Sequence, residues 1–473
     1  MFSLYDSILK GGHVVDPANN VDEIFDVAIN KGKIESVSDS LAGQGDTELF
    51  DVSGKIIMPG HIDTHAHLST PGGDVDRSYG HRMLAESGTT TALDLAGNPS
   101  ILCEGIKLRG AGLNVACIAG LQPTVTIPSE KPSRNVIRDL IYKLKDNGGI
   151  GVKMLGGYYP FSAETSSEII QEANDQESWV AFHVGTKDSG SDITGLREVP
   201  EIIGRGRLHV AHVNSYTRGL TDTAEKEAEE AVKIISGIKN QVVSEVYLAQ
   251  INGTNGLCDE DGNLVYNVAR NCMVARKYSP DDNGLRKALF DGYGSAVIER
   301  GGRMILVSGS EAVEIWESNS TNQALSFPVN SPIANYKLVT AKNPQGDFVI
   351  DAISTDGGAL PRNVAIERTM ALVTFGALSI SEAVKKLSCN PAEMLGLKNR
   401  GHFSQGAEAD ITVVDPSIGK ACMSFVKGNV IMKDGKSVSQ GGNWLILAEG
   451  EKIAKNSGIP YEIIDLSLSK LYR

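Results

Sequence analysis

The sequence predicts an α/β protein: a (β/α)8 TIM barrel carrying a small second domain assembled from the two ends of the chain. Three observations predict it. Apolar strand-like runs alternate with helix-like stretches through the middle of the chain, the pattern of a parallel sheet with crossover helices. These runs number eight, at about 55–63, 88–94, 115–122, 149–155, 179–185, 207–214, 241–248 and 348–356. Both ends carry short β segments punctuated by turn residues, a texture absent from the middle. A length of 473 residues suits a barrel with an appendage.

Near the start, Ser7-Ile8-Leu9-Lys10, Val14-Val15, Asp26-Val27-Ala28-Ile29 and Lys33-Ile34-Glu35-Ser36-Val37 are separated by Gly11-Gly12, Asp16-Pro17 and Lys31-Gly32. Ala409 to Pro416 and Phe425 to Ile431 repeat the pattern near the end. The expected division is 1–57 and 401–445 for the small β domain, 58–400 for the barrel and 446–473 for a C-terminal tail. The stretch from about 250 to 347 is too long for one βα unit and predicts an inserted subdomain or lid.

Hydrophobic residues make up 41% and charged residues 22%, ordinary values for a globular enzyme. A formal net charge of −13, with no cluster of Lys and Arg, excludes a nucleic-acid partner. Six cysteines without CxxC spacing read as reduced thiols. No apolar run reaches the roughly 20 residues of a membrane span, and MFSLYDSILKGG lacks the apolar core of a signal peptide. The expectation is a cytoplasmic protein.

The nine histidines are the main guide to chemistry. His65 and His67 end an apolar run behind Pro59-Gly60 and precede a Gly-rich loop; their spacing of two puts both rings on one face of an extended segment, where they can grip one ion. His183 and His212 close two consecutive strands, so both reach the barrel mouth, although either alone is equally a satisfied core histidine. His209 has the opposite parity to His212 and is expected to face the helices; His61 is expected deeper in the barrel. Lys153 sits inside the apolar strand Gly149 to Leu155, where a charge is costly unless paired or removed. One reading is a snorkelled or salt-bridged lysine; the other is an amine that takes up carbon dioxide to form a carbamate able to bridge two divalent ions. Asp356 ends the last strand, either as a helix cap or as a metal ligand that takes a proton from water.

Together these residues resemble the amidohydrolase superfamily, specifically its binuclear hydantoinase- and dihydroorotase-like branch. The likeness spans nearly the whole chain, including Ile8 to Asp16 and Gly406 to Asp415, which are similar to that family's flanking β-sandwich. The resemblance implies two divalent ions, with His65 and His67 on the buried one and His183 and His212 on the exposed one; imidazole and carboxylate ligands suit zinc, and manganese, iron, cobalt and nickel also fit. It implies carboxylated Lys153 as the bridge, and Asp356 as ligand and general acid–base. Tyr158 would support the tetrahedral intermediate, with Tyr159 as the neighbouring alternative. Arg362 could pair with a substrate carboxylate, and Asn214, Ser215 and Glu245 are further polar substrate contacts. The implied activity is hydrolysis of a C–N bond in a cyclic amide by a homo-oligomer, dimer or tetramer. Its rivals are an acyclic-amide hydrolase (a deacylase or isoaspartyl peptidase), a mononuclear deaminase and a non-catalytic scaffold related to dihydropyrimidinase. The deaminase reading lacks its HxxE glutamate, and the scaffold reading fails to explain why all six ligand positions are filled. Two departures stand out: no Pro-His pair follows Asp356, and Val184-Gly185-Thr186 replaces the hydantoinase His-Ala-Glu signature.

Overall fold

The computed structural model describes residues 5–70 and 76–473, so the Gly-rich loop expected after His67 lies outside the described residues. Eight parallel strands curl in sequential order: β1 (His61–His67), β2 (Thr89–Gly97), β3 (Ala111–Leu121), β4 (Gly151–Leu155), β5 (Trp179–His183), β6 (Leu208–Val210), β7 (Val242–Tyr247) and β8 (Ala352–Ser354). Strand β8 pairs with β7, while Gly357–Gly358, just beyond it, pairs with β1. The eighth strand is therefore broken, and its two halves join the ends of the sheet.

Each strand leads to a helix, and the sequence marks the helix starts. Asn98, Ser162, Asp192 and Thr223 each accept a backbone N–H of the first turn that follows. Alternation along the strands then sorts the side chains. Val152, Met154, Val180, Phe182, Val242 and Val246 pack outwards with Ile169, Leu196, Ala231 and Ile235 of the helices. Trp179, Ala181, Ala211, Val243 and Ala352 point inwards. Lys153, between Val152 and Met154, is thereby placed inside the barrel.

The small domain is one nine-stranded sheet drawn from both termini. Its halves join where Ile56–Pro59 pairs with Ile411–Asp415. A bulge between Leu9 and Gly12, with Gly11 at φ 69°, bends the first strand. The sheet folds over a core where Phe50 meets Phe425 edge to face.

Two sequence boundaries move. Residues 446–473 are not a free tail. Gly441–Ile446 adds a parallel strand beside β3 and brings Trp444 against it, while Leu445, Leu447, Ile464, Leu466 and Leu471 join the interior cluster. They close the end of the barrel opposite the histidines. The insertion ends near 331, because helix Pro332–Thr340 packs on the barrel helix Ala224–Gly237. What remains is a four-stranded sheet with helices Asn267–Val274, Asp282–Phe290 and Ser310–Ser318. It has its own core of Leu285, Leu289, Trp316, Leu325 and Phe327.

Leu445→Ala and Leu466→Ala should each cost about 2–5 kcal/mol, the usual range for emptying a packed leucine site. Urea unfolding reads this as a lowered midpoint; an unchanged midpoint would show that the C-terminal segment does not hold the barrel closed.

Candidate metal centre

The mouth of the barrel gathers His65 and His67 from β1, Lys153 from β4, His183 from β5, His212 just after β6 and Asp356 in the break of the eighth strand. His65 Nε2 and His67 Nε2 stand 3.2 and 3.0 Å from Asp356 Oδ1. Their ligand atoms all lie within 4.8 Å of one another, a compact donor set for a divalent ion. Lys153 Nζ is 2.9 Å from His65 Nε2. The His212 ring stacks on His65 with centroids 5.0 Å apart and meets His183 at 4.5 Å. Buried His212 Nδ1 has no hydrogen-bond partner, as expected of a nitrogen kept for a ligand. Imidazole, carboxylate and a lysine poised to lose its charge fit a borderline metal such as zinc.

Two of these side chains depend on unusual backbone. By strand parity His212 would face the helices, but its left-handed conformation (φ 34°) swings it to the mouth. Asp356 is likewise left-handed at φ 47°, with its N–H donating 2.8 Å to the His65 carbonyl. Such positions cost about 1–3 kcal/mol each in a non-glycine residue and persist only when their surroundings hold them. Gly157 is required for a different reason: a Cβ there would come within 2.4 Å of His183 Nε2.

The holding groups lie beneath. Glu245, fully buried on β7, accepts from His65 Nδ1 at 2.7 Å, from the His212 backbone N–H at 2.7 Å and from Ser354 Oγ at 2.8 Å. The bond to Nδ1 leaves His65 Nε2 with its lone pair facing the cluster. Burial opposes the Glu245 charge, but the His65 and His209 rings outweigh it and hold the carboxyl well below its ordinary value. Asp63 accepts from the His65 and Thr355 N–H groups at 3.1 Å each and from Thr355 Oγ1 at 2.5 Å, clamping β1 to the break before Asp356. Burial lowers Lys153 to about 8, so a neutral amine is within reach near physiological pH.

Several expectations are corrected. His209 does not face the helices: it lies inside the barrel, its Nδ1 accepting from Trp179 Nε1 at 3.3 Å and its Nε2 3.5 Å from Glu245. His61 is not the interior residue of its strand. A register shift between Asp63 and Ala66 changes the alternation, so Ile62 joins the interior cluster and His61 bonds Thr89 at 3.0 Å. Glu245 and Asn214 do not line the cavity: Glu245 braces the histidines, and Asn214 accepts the Tyr247 N–H at 3.1 Å. Arg362 does line it, but its Nη2 already pairs with Asp356 Oδ2 at 2.8 Å and its Nε with the Asp356 carbonyl.

Above the cluster is a cavity of about 420 Å³. Tyr158, Tyr159, Ser215 and Arg362 line it, together with residues of the insertion such as Gly253, Thr254 and Tyr266. Tyr158 donates to the Gly253 carbonyl at 3.0 Å, and Tyr159 meets Tyr266 hydroxyl to hydroxyl at 3.2 Å. Arg77 and Arg218 also line it. The sequence reading overlooked both; their signal is a charged residue in the loop after a barrel strand. A larger cleft of about 780 Å³ opens at the opposite end of the barrel, where Lys239 and Lys470 each pair with Asp351 at 2.7 Å. It holds none of the convergent histidines.

The comparisons agree with this architecture. The model of the Amidohydrolase family matches residues 335–439. A dihydroorotase of Geobacter metallireducens is 25% identical over 434 residues, covering 86% of this chain and 89% of the relative. Among solved structures, a D-aminoacylase studied for its binuclear metal center overlaps with a TM-score of 0.65 at 18% identity, covering 93% of this chain and 99% of its own. Dihydropyrimidinase from Brevibacillus agri gives 0.60 at 15% identity, with 93% and 98% covered. The chain is similar to the amidohydrolase superfamily, and within it to the hydantoinase- and dihydroorotase-like branch. It is a metal-dependent hydrolase of C–N bonds other than ordinary peptide bonds.

Glu245→Gln should loosen His65 and lower metal affinity by about 10–100-fold, the usual effect of losing a carboxylate behind a ligating histidine. Competition with a chelator measures it; unaltered affinity would remove Glu245 from this role.

Proposed function

We propose that the chain hydrolyses the C–N bond of a cyclic amide, with His65, His67, Lys153, His183, His212 and Asp356 holding two divalent ions, zinc by preference. The observation that carries the reading is the convergence of these six side chains beside the cavity, two of them on left-handed backbone. The dihydroorotase relative supports a ring as substrate, and the binuclear metal center of the overlapping D-aminoacylase supports room for two ions in this fold. When bound, such ions polarise the amide carbonyl and make hydroxide available from water near neutral pH.

The chain's own residues do the rest. Neutral Lys153 attacks carbon dioxide, loses a proton and becomes a carbamate, which replaces a neutral amine with an anion inside the cluster. Asp356, steered by Arg362 from its far side, takes the proton of the attacking water and returns it to the departing nitrogen. Tyr158 turns its hydroxyl from the Gly253 carbonyl to the oxyanion, a donor worth about 3–4 kcal/mol in such sites. Tyr159 and Ser215 shape the walls. A homo-oligomeric state, dimer or tetramer, and a cytoplasmic location complete the proposal; no helix among the described residues is long and apolar enough to cross a membrane.

A second reading, an open-chain amide such as an N-acyl amino acid, is favoured by the overlap with D-aminoacylase and by the missing Pro-His pair after Asp356. A panel of hydantoins, dihydropyrimidines, lactams, N-acyl amino acids and β-aspartyl dipeptides separates the two. Ring turnover is expected, and Asp356→Asn should lower it by about 10²–10⁴-fold with the fold intact. Turnover of open chains alone would establish the second reading, and near-normal turnover by Asp356→Asn would remove that residue from the mechanism.

A further inference from the structure

The charges around the cavity are unbalanced. Three guanidiniums line it, those of Arg77, Arg218 and Arg362, while Asp356 is the only carboxylate among the described lining residues. Arg362 is engaged with Asp356. Arg218 is held by neutral groups: its Nε donates to Asn330 Oδ1 at 2.9 Å, and its Nη2 to Ser215 Oγ and the Tyr247 hydroxyl at 3.2 Å each.

Arg77 is different. Its Nε and Nη1 are buried and have no hydrogen-bond partner among the described residues, and no described carboxylate pairs with it. Burial pulls it down to about 10; Tyr158 and Asp94 nearby oppose this, and the Arg362 charge adds to the depression. Asp94, a buried acid whose charge acts on Arg77, is occupied by the Leu68 N–H at 2.9 Å and by the Ser69 hydroxyl. Arg362, only 3% exposed, likewise keeps Nη1 without a partner while stacked 4.9 Å from the Tyr247 ring. Two cations that line the cavity thus hold three buried donor nitrogens with no partner among the described residues. An uncompensated buried guanidinium is costly, and a planar anion with two oxygens matches its fork.

We propose that Arg77, together with Nη1 of Arg362, is the anchor for a carboxylate carried by the substrate, so that the amide hydrolysed is anionic rather than a neutral ring. This rests on the hydrolase reading and narrows it. It also shifts the carboxylate from Arg362 alone, whose other nitrogens are committed to Asp356, to Arg77.

Binding, not turnover, tests it. The probes are two pairs differing only in a carboxylate: hydantoin-5-acetate against hydantoin, and N-acetylalanine against N-acetylalaninamide. Dissociation constants are measured by ligand-induced thermal shift on the metal-loaded protein, Arg77→Gln and Arg77→Lys. The carboxylate member of at least one pair should bind at least about tenfold tighter to the wild type. Arg77→Gln should erase that preference while leaving affinity for the neutral member within about threefold, a split that a general loss of structure would not produce; Arg77→Lys should restore part of it. No preference in the wild type, a preference that survives Arg77→Gln, or inorganic phosphate binding as tightly as the carboxylates would overturn the proposal. An Arg77-dependent preference without turnover of any amide would contradict the proposed hydrolysis and leave the anion anchor standing.

Discussion

Four barrel strands meet at one buried carboxylate. Glu245 on β7 receives the imidazole of β1, the backbone that follows β6 and the hydroxyl of Ser354 on β8. With these partners the charge is stabilised where burial would otherwise expel it; stripped of one, the remainder would be left in a low-dielectric interior. The group therefore does two things. It selects the His65 tautomer whose free nitrogen faces the ligand cluster, and it pins the backbone turn that brings His212 round to the mouth. The barrel supplies strand ends, but this interaction decides which side chains converge on them.

Asp63 acts in the same way on the other side. The eighth strand cannot run unbroken through Asp356, because a left-handed residue ends the ladder there. Asp63 and the His65 carbonyl hold the broken end against β1. Strain at His212 and at Asp356 thus sits directly above two buried acids, and the rigid sheet on either side keeps both conformations in place.

Much of this was legible in the sequence. Eight apolar runs and two β-rich ends foreshadowed the barrel and the shared terminal sheet, because strand patterning follows burial and burial follows the layers. The HxH pair, strand Lys153 and strand-end His183 were legible because they keep the alternation of their strands. What the alternation could not convey was where it fails. A bulge in β1 reversed His61 and Ile62, and a left-handed residue let His212 reach the mouth as expected while His209, against expectation, also faces the interior. Glu245 looked like a substrate contact because the sequence shows a buried charge without its partners, which come from strands distant in the chain. The C-terminal segment read as a tail because its leucines are spread along short irregular pieces without a helical or strand period. Arg77 carries only the weak signal of a charge in a loop after a barrel strand: its meaning lies in having no partner among the described residues, a fact of packing.

The central claim is that Lys153, as a carbamate, completes a site for two ions. The most direct measurement is the number of zinc ions bound per chain, after exhaustive dialysis, in the wild type with and without bicarbonate and in Lys153→Ala. The account predicts two ions per chain with bicarbonate, fewer when carbon dioxide is excluded, and loss of the pair in Lys153→Ala with partial recovery on adding short-chain carboxylates. Two ions retained by Lys153→Ala without any carboxylate would contradict it.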